Sequence, residues 1–224
     1  FHPGNAENYS YIKDMGAKWS REGYYLVWDW IDSNRDGNYK FTQAEAPAVP
    51  NSSISSQQIN YDAQWLKVPE NIKIMANICP FTINPLNQET GFANSSKELE
   101  IYQDFAKKTV ERYDGDNDYG CQFSSPDCYK EGDNQYPSAE TIKVLQKNPI
   151  KYWQVCNQVT ETSPACKTDD CKNDYASTFA SVQEKTYKGA KSADNSTNIL
   201  IGGDSDKRLY PEVFKKLGGK YIDI

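Results

Sequence analysis

Lys151–Gln158, KYWQVCNQ, is an apolar run that ends in two side-chain amides, Asn157 and Gln158. Its composition predicts a strand whose carboxyl end presents polar groups, the edge at which α/β barrels place their active sites. Amides there can hydrogen-bond a hydroxylated ligand. They cannot relay a proton at ordinary pH as a carboxyl or imidazole does. The chain holds one histidine, His2, which excludes a Ser-His-Asp triad in its interior and any multi-histidine metal site. Chemistry must therefore rest on carboxylates, amides, tyrosines or a hard cation.

A hard cation has one sequence candidate. Asp32-Ser33-Asn34-Arg35-Asp36-Gly37 matches the first six positions of an EF-hand loop, with Asp32, Asn34 and Asp36 as calcium ligands. Gln43 stands where the bidentate glutamate is expected, and Glu45 comes two places late. The competing reading is a polar turn, in which Asp, Asn and Gly bond their own backbone. Asp114, Asp116 and Asp118 alternate in a second acidic stretch. The residues require no cofactor, and calcium is the one cofactor they accommodate.

Six cysteines add a compartment signal. Cys121 with Cys128, and Cys166 with Cys171, bracket short polar loops and read as local disulfide staples of an oxidising compartment. Neither pair has zinc-knuckle spacing. Cys79 and Cys156 end predicted strands, where they either pair or stay as buried thiols. Sequons at Asn8, Asn51, Asn94 and Asn195 fit a glycosylated surface. The expectation is an extracellular or secreted protein, processed or excised because it starts at Phe1.

The elements that position these groups alternate between helix and short apolar strand, the pattern of a parallel α/β architecture. Strands are expected near residues 17–22, 72–79, 150–156, 198–202 and 221–224. Helices are expected near 6–15, 59–67, 96–113, 139–146, 174–192 and 211–217, with a long polar loop over 28–56. Ser95 and Glu98 form a capping box. Leu99, Tyr102, Ala106, Val110 and Tyr113 then mark one buried helical face, as do Tyr175, Phe179, Val182 and Ala190. A parallel strand at the last residue would leave a bare edge, so the chain reads as part of a larger barrel or sheet.

With 224 residues, 38% hydrophobic and 13% aromatic, the chain can bury a core despite 25% charged residues and a mean hydropathy of -0.82. Its net charge of -6 lacks the basic footprint of a nucleic-acid binder. No apolar run is long enough to span a bilayer.

IKYWQVCNQ resembles the fourth strand of the clan A glycoside hydrolases, (β/α)8 barrels in which that strand ends Asn-Glu. The likeness continues through MGAKWSREG at strand two, DGNYKF and YDAQWLKVPENIKIMANICPF at strand three, and FAKKTVERYDGDNDYG before strand four. ILIGGD and YIDI fall where strands five and six belong. The resemblance implies one α/β domain over 1–224, a partial (β/α)8 TIM barrel covering about strands two to six. It implies a retaining, double-displacement glycosidase acting on oligosaccharide or polysaccharide. Asn157 would bond the sugar 2-hydroxyl and Arg21 would sit near the nucleophile. Trp28, Trp30 and Tyr39, after strand two, would offer aromatic faces to sugar rings.

Gln158 departs from the family. It occupies the acid/base position as an amide, which makes the chain inactive as written, whether it is natural, a substitution or a misassigned glutamate. The strand carrying the family's nucleophile lies outside the resemblance. A second reading is a non-catalytic extracellular protein that binds glycans, self-assembles, or does both on a pseudo-glycosidase barrel.

Overall fold

A computed structural model describes residues 11, 13–46, 56–80, 95–116, 138–157, 169–203 and 209–223. The described chain is mixed α/β with a mainly parallel sheet. Four strands, β1 (Trp19–Val27), β4 (Lys73–Cys79), β5 (Tyr152–Val155) and β6 (Asn198–Ile201), lie side by side in chain order. All three pairings are parallel, with Asn77 opposite Gln154 and Gln154 opposite Leu200. The register of β1 shifts between Arg21 and Tyr25.

Within the expected loop over 28–56, the described residues include regular elements. Helix α1 (Trp28–Ile31) follows β1 directly, and β2 (Ala44–Ala46) pairs antiparallel with β3 (Gln57–Ile59). Helix α2 (Tyr61–Trp65) is capped by Asn60, which accepts from the Ala63 N–H at 3.0 Å. Helix α3 (Ser96–Tyr113) opens on the expected capping box. Ser95 Oγ accepts from Glu98 N–H at 3.2 Å, and Glu98 accepts in return from Ser95 N–H. Helices α4 (Ala139–Lys147), α5 (Asp169–Ala193) and α6 (Leu209–Leu217) complete the described set.

One face of the sheet is the core. Ile74, Ala76, Ile78, Trp153, Val155 and Ile199 alternate along the strands and are buried under the helices. Above them α3 packs on α5 and α5 on α6. Gly189 allows the first contact, because a Cβ there would lie 2.3 Å from the Gln103 carbonyl oxygen. An aromatic layer fills the space under α1 and α3: Phe41 stacks with Phe105 at 6.4 Å and meets Tyr113 edge-on at 5.9 Å. The stripes read from sequence on α3 and α5 are the buried ones, with Leu99 and Tyr175 half-buried at their ends.

The strand expected at 221–224 does not form over its described residues. Tyr221 has φ of 63°, which breaks the extended run. Asp223 N–H still donates to the Ile199 carbonyl at 2.9 Å. Ile199 N–H donates to the Asp223 carboxylate at 2.8 Å instead of to a backbone carbonyl, so no ladder propagates.

Candidate functional site

The sheet's other face carries the polar residues. Arg21 of β1, Asn77 of β4 and Gln154 of β5 sit on neighbouring strands with side chains on that face. Arg21 Nε donates to Gln154 Oε1 at 2.8 Å and Arg21 Nη2 to Asn77 Oδ1 at 3.3 Å. Gln154 Nε2 in turn donates to the Cys156 carbonyl at 3.0 Å and to Asn157 Oδ1 at 3.4 Å. A hydrogen-bonded line thus runs across three strands to the carboxyl end of β5.

Local backbone sets this end. Cys156 takes φ of 55°, turning the chain out of β5. Its sulfur is bonded to Cys79, which joins the carboxyl ends of β4 and β5 across 77 residues of sequence. Gly202 follows β6, and a Cβ there would lie 2.2 Å from the Val155 carbonyl oxygen. A Cβ at Gly203 would lie 3.2 Å from Asn157 Oδ1. Gly202 thus lets the chain after β6 lie close against the backbone at the end of β5, and Gly203 leaves Asn157 Oδ1 uncrowded.

Chemically, a cluster of this kind can hold and orient a polar group. Its groups are one guanidinium and the amides of Asn77, Gln154 and Asn157, with no carboxylate among them. Such groups suit hydroxyl or carboxylate partners. Acid–base steps would need carboxylates from elsewhere.

The sequence candidates fare differently. Arg21 and Asn157 are brought into one network. Trp28 and Tyr39 are not available as sugar platforms: their exposures are 0% and 2%, because Trp28 packs against Tyr102 at 5.5 Å and Tyr39 against Phe105 at 5.6 Å. The apolar area of both rings, worth roughly 1.5–3 kcal/mol each on burial, is spent in the core. Trp30 is half-buried, and its indole N–H has no acceptor among the described residues. Gln158, Cys121, Cys128 and Cys166 lie outside the described residues, and with them both local staples.

Asp32, Asn34 and Asp36 lie on a loop closed by its own N–H groups. Asp32 accepts from Asp36 N–H at 3.1 Å, Gly37 N–H at 2.9 Å and Trp28 Nε1 at 3.3 Å, while Asp36 accepts from Asn38 N–H at 3.0 Å. Burial raises the Asp32 carboxyl above its usual range despite these donors. Asn34 and Asp36 are exposed. Arg35, with φ of 52°, reaches back to Asp29 and Glu98 at 2.9 and 2.8 Å. These bonds are those of the polar-turn alternative.

Asn77 and Gln154 were not among the sequence candidates. Their signal was a polar side chain inside an otherwise apolar strand, IKIMANIC and YWQVC, which a buried strand tolerates only when it is bonded.

Comparison of the chain with known proteins found no matching family model, no matching curated protein and no matching solved structure. The Cys79–Cys156 bond belongs to an oxidising environment. No described helix is long and apolar enough to cross a membrane.

Proposed function

We propose that this chain is a carbohydrate-binding segment of a secreted, glycosidase-like (β/α)8 barrel, covering about strands two to six. The observation that carries the reading is the Arg21–Gln154–Asn157 line, which runs to the carboxyl end of β5, where the resemblance places a sugar site.

The strand order supports the barrel. Right-handed crossovers that always step the same way put every helix on one face of the sheet. A parallel sheet is covered on both faces as a rule. Here the second face holds half-buried Met75, Tyr152 and Leu200 beside the polar line. Closure into a barrel is the arrangement that covers such a face with the sheet itself.

With Gln158 at the acid/base position the chain binds glycans and does not cleave them. Glutamate there, together with a nucleophile carboxylate, would give retaining double displacement. Isothermal titration calorimetry against a panel of oligosaccharides tests the reading. We expect binding by the chain and at least ten-fold weaker binding by Asn157→Ala. The reading fails if no oligosaccharide binds at millimolar concentration, or if Asn157→Ala binds as the parent does. In that case an assembly role on the same scaffold takes precedence, and sedimentation would show it.

A further inference from the structure

The sequon Asn195-Ser196-Thr197 has no part in the carbohydrate-binding reading. It forms the turn that joins α5 to β6, at the amino end of a parallel sheet whose carboxyl end carries Asn157. Asn8, Asn51 and Asn94 lie outside the described residues. The turn is built without the Asn195 side chain. Asp194 Oδ1 accepts from Ser196 N–H at 2.8 Å and from Ser196 Oγ at 2.7 Å, and the Asp194 carbonyl accepts from Thr197 N–H at 3.2 Å. Lys151 holds the other oxygen of that carboxylate at 2.6 Å. An aspartate that bonds the backbone two residues on fixes a turn of this kind by itself.

Asn195 is left at the tip of the turn, exposed. Its backbone carbonyl accepts from Lys191 Nζ at 3.5 Å, while its side-chain amide makes no hydrogen bond with a described residue. A bulky polar group on that nitrogen would displace no packing and break no bond. The sequence around it supplies both parts of the acceptor signal: a middle residue, Ser196, that is not proline, and a hydroxyl on Thr197. In the fold Thr197 is fully buried, and its Oγ1 donates to the Lys151 carbonyl at 3.2 Å. A transferase that reads this hydroxyl must therefore meet the segment before β6 pairs with β5. The Cys79–Cys156 bond belongs to an oxidising compartment, and the lumen in which N-glycans are transferred is one.

We propose that Asn195 is an N-glycosylation site, modified as the chain enters the secretory lumen. The inference rests on the secretion in the reading above and not on its sugar site. The donor is a lipid pyrophosphate-linked oligosaccharide. A bond forms between Asn195 Nδ2 and the anomeric carbon, and the bond from that carbon to the pyrophosphate oxygen breaks. The lipid pyrophosphate leaves, one amide proton passes to the transferase, and nothing is oxidised or reduced. The glycan then stands at the amino end of β6, clear of Asn157.

The test is mass spectrometry of the full chain recovered from its native source and digested with peptide-N-glycosidase in heavy-oxygen water. We expect the tryptic peptide 192–207 to carry aspartate with heavy oxygen at position 195, and the intact mass to fall by that of a glycan. In the chain secreted from a eukaryotic cell, Asn195→Gln and Thr197→Ala should each lose this glycan, and Thr197→Ser should keep it. Asn195→Gln alters an exposed side chain with no bond to lose, so it reports even if Thr197→Ala does not fold. The proposal is overturned by an unmodified asparagine at 195 in the native chain, by glycan confined to other asparagines, or by a glycan mass unchanged in Asn195→Gln. Calorimetric titration of oligosaccharide into the deglycosylated chain reads the Asn157 end separately, so either reading can fail alone.

Discussion

Arg112 and Arg21 each reach from one element to another, and the chemistry that receives them differs. Arg112, fully buried, forms a fork with Asp62 through bonds of 2.9 and 2.7 Å, and Tyr113 Oη donates to the same carboxylate at 2.9 Å. Its guanidinium also lies 4.8 Å from the Phe41 ring centroid. The ion pair is a closed unit that locks α2 to α3. Arg21 is half-buried and donates to the amide oxygens of Gln154 and Asn77, neither of which carries a charge to cancel its own. A carboxylate answers an arginine with an opposite charge, whereas these two amides orient the guanidinium through neutral oxygens.

Removing one member of the buried pair should break this comparison most severely. Arg112→Met strands the Asp62 carboxylate in the core and should cost about 3–5 kcal/mol in urea unfolding. The double variant Arg112→Met/Asp62→Leu should recover much of that loss. Equal losses in the single and double variants would show that Arg112 acts through packing alone.

Next comes the covalent tie beside the other arginine. Replacing Cys79 and Cys156 by alanine should lower stability by about 2–5 kcal/mol, since the bond closes a long loop in the unfolded chain. The same variant should weaken oligosaccharide binding, because Cys156 sets the turn that presents Asn157.

Arg21→Lys sharpens the contrast. It keeps the charge but loses the planar fork, so stability should fall by only about 1 kcal/mol while oligosaccharide affinity falls about ten-fold. An affinity equal to the parent's would remove Arg21 from the site.

The smallest effect belongs to a partly exposed cation. Lys151 pairs with Asp194 at 2.6 Å, worth about 0.2–1 kcal/mol. Burial alone would raise the Asp194 carboxyl, but the bonds from Lys151 and Ser196 outweigh it and hold the group below the usual range. A depressed carboxyl stabilises the fold above its unfolded value, near 3.8, and loses that contribution as pH falls through the lower folded value. Asp194→Asn should therefore flatten the acid limb of a plot of melting temperature against pH.

Much of the fold was legible because it rests on local rules. The 3.6-residue stripe on α3 and its Ser95–Glu98 box need no distant partner, and apolar runs at 72–79, 150–156 and 198–202 read directly as strands, within two residues of those that form. The short β2–β3 pair was not legible, since three-residue strands in a polar stretch carry no periodicity. Trp28 and Tyr39 looked like binding aromatics for a related reason. Aromatic residues read alike in a ligand-facing loop and in a core, and only packing against Tyr102 and Phe105 separates the two.

For the site, residue types alone excluded histidine chemistry and marked the strand ending at Asn157 as the place to look. Tertiary structure alone decided that Cys79 and Cys156 are bonded and that Arg21 meets Gln154 across 133 positions. The reason is range. Capping and amphipathic spacing act within a few residues and are written in the chain's order, whereas strand pairing, disulfide closure and the gathering of charges depend on which distant segments the sheet brings side by side.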